Sequence, residues 1–264
     1  VDPLEESLLR REKNRWLYKR YIKLRWIIVL CFCFLQTIRF ICYDNAQALQ
    51  TQFQTGPLQL STTQYNLFYS IQTYLLIFPF IAGYLSDRFS IRKLMMIMMI
   101  CQTIGQGFFT LGAYIESYPV LLAGRWLFEI TSFSMEIYED HMLSVWFANK
   151  EMFLAMGVGL SCCRLGTALA NYFTPKVYES TKEIYLPLLY GTYLYGFALI
   201  VAVVLVFVDS KYRKFIEDWG EDQDGTNEDE EEDEKPMSLR GIITDLKSFK
   251  KLFWIIVIAG TMSY

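Results

Sequence analysis

The chain has 264 residues, 53% of them apolar and 17% aromatic, with a net charge of −3. Its apolar residues fall in blocks of about 20, the length that crosses ~30 Å of hydrocarbon, which excludes a soluble enzyme built on one core. The charge is unevenly spread: Glu217 to Glu234 holds twelve acidic residues and no basic one, so the remainder of the chain stands at +9. The six cysteines all lie inside apolar blocks and fit no metal-ligand spacing, so neither a metal nor a cofactor is expected.

Residues 1–24 read as a basic, helical cytosolic leader. Arg10, Arg11, Lys13, Arg15, Lys19, Arg20, Lys23 and, just beyond it, Arg25 are interleaved with Trp16, Tyr18 and Tyr21, which suits a topology signal at a lipid interface. A first helix is expected from about Leu24 to Leu49, uncleaved because Arg39 and Asp44 interrupt any signal-peptide core. Near its end Tyr43, Asp44 and Asn45 make a polar break, either a gate or an interfacial end. An uncharged loop rich in Gln and Thr follows, with a turn at Gly56-Pro57. Further helices are expected over about Ser61–Leu85, Ile91–Tyr114, Pro119–Trp146, from Lys150 to near Pro175, and Ile184–Val208. The hydrophilic stretch 209–251 is expected to be a largely disordered acidic linker. Leu252 to Tyr264 reads as the start of a seventh span, so the chain is expected to hold only part of the membrane domain.

Orientation follows from loop charge. The leader, the loop after the second helix and the start of the linker are rich in Lys and Arg, whereas the intervening loops are nearly free of them. Positive loops stay in the cytosol, so the N-terminus and the linker are expected there, and the six-helix bundle covers 25–208.

Charges inside the spans invite functional readings because each costs at least ~2.5 kcal/mol to insert. At 100° per residue Arg125, Glu129, Glu136 and Asp140 share one stripe of the fourth helix, with Ser132 on it and Glu139 beside it. Arg39 and Arg164 lie ~20 Å up from the basic-loop side, and Arg125 and Glu129 ~9–15 Å down from the other, at comparable height in the bilayer. Arg164, Arg39, Arg125, Glu129 and Glu136 are therefore the candidate substrate-binding residues, a set suited to the carboxylate and amine of a zwitterion. A structural reading competes, in which i,i+4 pairs along this helix only hold the bundle together, with Glu139, Asp140 and His141 near the cytosolic interface. On the fifth helix Gly157, Gly159, Ser161, Gly166, Ala168 and Ala170 predict close helix approach.

The loop after the second helix reads Gly83-Tyr-Leu-Ser-Asp-Arg-Phe-Ser-Ile-Arg-Lys93. It resembles the signature of the major facilitator superfamily: Gly83, Leu85, Ser86, Asp87, Arg88, Arg92 and Lys93 fit, and Ser90 stands where glycine is usual. The resemblance implies an all-α membrane protein whose two six-helix halves surround a central cavity. This chain would supply the N-terminal half and the start of helix 7, with Gly83, Asp87, Arg88, Arg92 and Lys93 acting as gating residues. Cys42-Tyr43-Asp44-Asn45, Gln64-Tyr65-Asn66-Leu67, Gly124-Arg125, Trp146-Phe147 with Lys150-Glu151, and Arg164-Leu165-Gly166 are similar to the lysosomal dipeptide transporter branch. There the helix 5 arginine, matched by Arg164, and an acid on helix 4 are implicated in peptide binding. The acid's place is held by Phe133, so Glu129 or Glu136 would substitute. The expectation is a secondary or facilitative transporter working by alternating access in a lysosomal or other endomembrane, not an enzyme. Its expected partners are the bilayer, a small-molecule substrate, the C-terminal half and a lumenal accessory membrane protein, with no nucleic acid. The alternative is a non-transporting receptor or scaffold on the same fold.

Overall fold

The computed structural model describes residues 3–74, 78–147 and 150–224, and among these all regular structure is helical. The chain divides into two compact units, Val1–Ile216 and Glu217–Tyr264, and the first contains every side chain discussed below. Its helices are α1 (Pro3–Ala48), α2 (Gln50–Thr55), α3 (Thr62–Tyr74), α4 (Phe78–Arg88), α5 (Ile91–Tyr114), α6 (Tyr118–Trp146), α7 (Lys150–Thr181) and α8 (Tyr185–Asp224).

Among the described residues, four stretches are long and apolar enough to cross a membrane: Leu24–Ala48, Ile91–Tyr114, Glu151–Thr181 and Tyr185–Tyr212. The 29-residue α6 has the length, but Arg125, Glu129, Glu136, Glu139 and Asp140 give it too many charges to qualify on composition. The expected second span is represented by α3 and α4, separated by residues 75–77, which lie outside the described residues. Large apolar side chains point outward on several helices, among them Leu30, Phe153 and Phe207, each more than two-thirds exposed. Such faces suit lipid, not water.

Several boundaries differ from expectation for identifiable reasons. Leader and first span form one continuous helix, since nothing between Pro3 and Ala48 breaks it. The Gln/Thr-rich loop contains a short helix, α2, anchored by the fully buried Phe53. Pro175 does not end α7, which continues six residues to Thr181; neighbouring groups make proline tolerable inside membrane helices. The helix that begins at Tyr185 runs past Val208 to Asp224, through the start of the expected linker. Residues 225–264, and with them the rest of the acidic run and the expected seventh span, lie outside the described residues.

Two close helix pairs frame the unit, and glycine makes both. Between α5 and α6, a Cβ on Gly124 would sit 2.3 Å from the Phe109 nitrogen, and one on Gly112 would sit 2.4 Å from that of Leu121. Between α1 and α7, a Cβ on Gly159 would strike the Phe32 ring and one on Gly166 the Thr37 carbonyl. In lipid, where apolar side chains gain little from leaving the solvent, such close van der Waals packing holds helices together. At the start of α3 Ser61 and Gln64 form a reciprocal cap: the Gln64 backbone N–H donates to Ser61 Oγ at 3.2 Å and the Ser61 N–H to Gln64 Oε1 at 2.9 Å.

Candidate functional site

Burying a guanidinium among helices demands that its charge and its donors be met. Arg125 is 1% exposed on α6. Its Nη2 donates to the Tyr43 carbonyl of α1 at 3.0 Å and lies 2.9 Å from Glu129 Oε1, one turn along its own helix. The rings of Tyr43, Tyr69, Phe109 and Phe128 surround the guanidinium carbon at 4.8–5.8 Å. Four helices thus close an aromatic box on one cation. Arg125 and Glu129 form a buried pair in which Arg125 Nε and Nη1 have no hydrogen-bond partner among the described residues.

A second pair lies about three turns away on the same helix. Arg39 of α1, 4% exposed, lies 3.3 Å from Glu139 Oε2, donates to the Ser132 carbonyl at 3.2 Å and bonds Gln36. Gln36 in turn donates to Glu139 Oε2 at 3.1 Å and accepts from the Cys163 thiol of α7. Arg39 and Arg125 do not meet, although their depths are comparable. Rotation and rise along a helix fix the face and height of a residue but not which acid a long side chain will reach, and Glu139, placed beside the stripe, is the acid that takes Arg39.

Beside this second pair a cavity of about 110 Å³ opens between α1, α6 and α7, lined by Phe32, Gln36, Glu136, Asp140, Met156 and Cys163 among others. Its volume is below the ~300–1,000 Å³ of sites that enclose a whole drug-sized ligand, so it fits one end of a solute. Glu136 and Asp140, one turn apart and half-buried, bring two carboxylates to it. Arg164 stands apart from both pairs. It is exposed on α7 and makes no ion pair or hydrogen bond with the described residues.

Asp44 and Asn45 are drawn into the helix bundle. Asp44 is 4% and Asn45 2% exposed. Thr174 of α7 donates to Asn45 Oδ1 at 2.6 Å, and Cys42 donates to the Gly191 carbonyl of α8. With Arg125 on the Tyr43 carbonyl, this one turn of α1 is tied to α6, α7 and α8.

The Gly83–Lys93 segment sits where α4 ends and α5 begins. Ser86 Oγ donates to the Gly83 carbonyl at 2.6 Å, and the Arg88 guanidinium lies 4.5 Å over the Tyr84 ring. Arg92 Nε lies 3.8 Å from Asp209 of α8, which also accepts from the Trp146 indole at 2.8 Å. Lys93 is exposed, and the Asp87 side chain lies outside the described residues. A Cβ at Gly83 would meet nothing within 4 Å. Close by, Arg25 pairs with Glu151 and lies 5.5 Å over the Phe147 ring, on which Trp26 packs edge-on. Neither Asp209 nor Glu151 stands out as a partner in the sequence, since each lies over a hundred residues from the arginine it meets.

The Major Facilitator Superfamily profile matches residues 17–264. Curated relatives bear the name lysosomal dipeptide transporter MFSD1: the Homo sapiens protein is 27% identical over 91% of this chain and 51% of its own length, and the Danio rerio protein 30% over 91% and 51%. The chain therefore spans about half the length of these relatives. Among solved structures, the superfamily transporter FucP in its outward conformation matches with a TM-score of 0.51 at 16% identity, over 68% of this chain and 48% of that one, a likeness of fold alone. With charged pairs sealed inside lipid-facing helices and a family match across almost its whole length, the chain belongs to the Major Facilitator Superfamily of membrane transporters.

Proposed function

We propose that this chain is the N-terminal half of a transporter for dipeptides or amino-acid-like zwitterions, which works by alternating access in the lysosomal membrane with its N-terminus in the cytosol. The observation that carries the reading is the division of the intramembrane charges. Arg125 pairs with Glu129 and Arg39 with Glu139, while Arg164 is exposed and makes no ion pair with the described residues, and Glu136 and Asp140 border a cavity. Arg164 would take the carboxylate through its two-pronged fork, and Glu136, with Asp140, would receive the amine. Arg39 would act from behind, orienting the cavity wall through Gln36. Arg125 and Glu129 would hold the bundle.

Supporting the dipeptide assignment are the names of the relatives and the place of Arg164 in an Arg-Leu-Gly stretch that resembles that branch. The substitution of Phe133 for the branch's acid would be met by Glu136, one turn along. Gly83 supports a gate between halves: no described neighbour requires a glycine there, so its purpose would lie against the C-terminal half. Residues 209–251 would tether that half, 252–264 would open its first helix, and a lumenal accessory membrane protein would bind the opposite side.

The test is uptake of Ala-Ala by the full-length protein in liposomes. Arg164→Ala is expected to reduce uptake at least tenfold, and Glu136→Gln to raise KM for Ala-Ala while leaving uptake of an N-acetylated peptide unaffected. Unchanged uptake by Arg164→Ala would sink the assignment. A parent protein that binds Ala-Ala without any flux would favour a receptor on this fold.

A further inference from the structure

We propose that α1 and α8 form a binding site for an anionic phospholipid where both leave the membrane on the leader's side. Arg20, Lys23 and Lys211 take the headgroup, and the exposed apolar stripes of the two spans take the acyl chains. The site uses none of the residues assigned to the solute or to the gate, and it holds whichever side of the membrane is cytosolic.

Setting the topology of a membrane chain requires only that basic residues be numerous on one side. Here they also have a phase. On α1 the residues Arg20, Lys23, Ile27, Leu30 and Phe34 follow one another at alternating steps of three and four, which keeps them on one face of the helix. Ile27 and Leu30 are exposed. On α8 the same steps join Phe197, Ile200, Val204, Phe207 and Lys211, all exposed. The two stripes share a member pair: the Phe34 and Phe197 rings meet edge-on at 5.5 Å. A second contact, from the Cys42 thiol to the Gly191 carbonyl at 3.5 Å, shows that the helices run antiparallel. The stripes therefore descend side by side from Phe34 and Phe197 to the same membrane edge. The spans end there at Leu24 and Tyr212, each within one residue of a lysine on its stripe. Arg20 stands ~6 Å beyond Leu24, within the ~5–8 Å headgroup layer on each side of the hydrocarbon. Two acids of the same membrane side are engaged elsewhere, Glu151 by Arg25 and Asp209 by the Trp146 indole. Lysine suits such a place, because its stem lies along apolar surface while its ammonium reaches the phosphate layer.

The experiment is native mass spectrometry of the full-length protein in detergent micelles, titrated with dioleoylphosphatidylserine or dioleoylphosphatidylcholine, which share acyl chains and differ in charge. The parent is expected to bind the serine lipid at least tenfold more tightly. Lys23→Gln and Lys211→Gln are each expected to weaken the serine lipid roughly fivefold, the scale of one basic residue at an anionic surface, and to leave the choline lipid unchanged. Arg20→Gln/Lys23→Gln/Lys211→Gln is expected to abolish the preference. Lys176→Gln removes an exposed lysine at the far end of α7 and is expected to match the parent. Equal affinity of the parent for the two lipids, as would follow if the C-terminal half covered this face, would overturn the site. So would a loss in Lys176→Gln as large as in Lys211→Gln. Glycerophosphoserine, the headgroup without acyl chains, is expected not to displace the lipid at equal concentration; displacement would make this a site for a free anion and overturn the lipid. A serine lipid with a diazirine in one acyl chain is expected to label residues 26–34 and 197–207, and absence of label from either segment would overturn the two-helix site.

Discussion

At the scale of single residues, the unit is held by charges that have been removed from exchange. Arg125 shows how complete the removal is: a helix carbonyl, a carboxylate and four aromatic rings surround it. Breaking a buried pair by neutralising one member leaves the other uncompensated, at about 3–5 kcal/mol, whereas replacing both by apolar residues of similar volume is often close to neutral. Glu129→Gln is accordingly expected to lower the melting temperature in detergent sharply, and Arg125→Met/Glu129→Leu to recover much of the loss. A single variant as mild as the double would show that the box does not depend on the pair. The stripe of charge on α6 was legible in the sequence, because 100° per residue puts Arg125, Glu129 and Glu136 on one face. So was the i,i+4 pairing of Arg125 with Glu129, but the partner of Arg39 was not. Arg39 reaches Glu139, and the side-chain length that permits this leaves no trace in spacing.

Helices in this unit meet where side chains are absent. The sequence marks the small residues of α7, and Gly159 and Gly166 do bring it against α1, while Gly157 faces open space. The equally close α5–α6 contact depends on Gly105, Gly112 and Gly124, whose spacing spreads over two helices and has no one-helix pattern to reveal it. Gly124→Ala would drive a methyl into the α5 backbone, which cannot yield as a side chain can, at a cost of about 1–3 kcal/mol. Its melting temperature is expected to fall, and that of Gly107→Ala, which meets nothing within 4 Å, to hold or rise slightly. Equal melting temperatures would refute the close contact. The same contrast of local and distant information explains the element boundaries. The Ser61–Gln64 cap begins α3 where its sequence says it should. Pro175 does not end α7, because α1 packs along that helix and Thr174 bonds Asn45.

For the whole molecule, family membership was legible in eleven residues, since the signature's spacing survives the replacement of its usual glycine by Ser90. The loop charges carry the orientation, and it is open to direct measurement. In intact lysosomes bearing the full-length protein, an impermeant maleimide applied from the cytosol is expected to reach Ser90→Cys and not Lys182→Cys; the reverse would invert the topology. One architectural detail gives such motions a readout. At 1.5 Å per residue the 46 residues of α1 measure ~69 Å, more than twice the hydrocarbon thickness of ~30 Å. The surplus is a lever arm. Arg25 pairs with Glu151 at the base of the arm, and a tilt of about 10° in the span would sweep Pro3, ~32 Å beyond Leu24, through about 6 Å. A fluorophore at the tip would therefore act as a goniometer for helix 1, reporting rotations too small to be seen within the bundle.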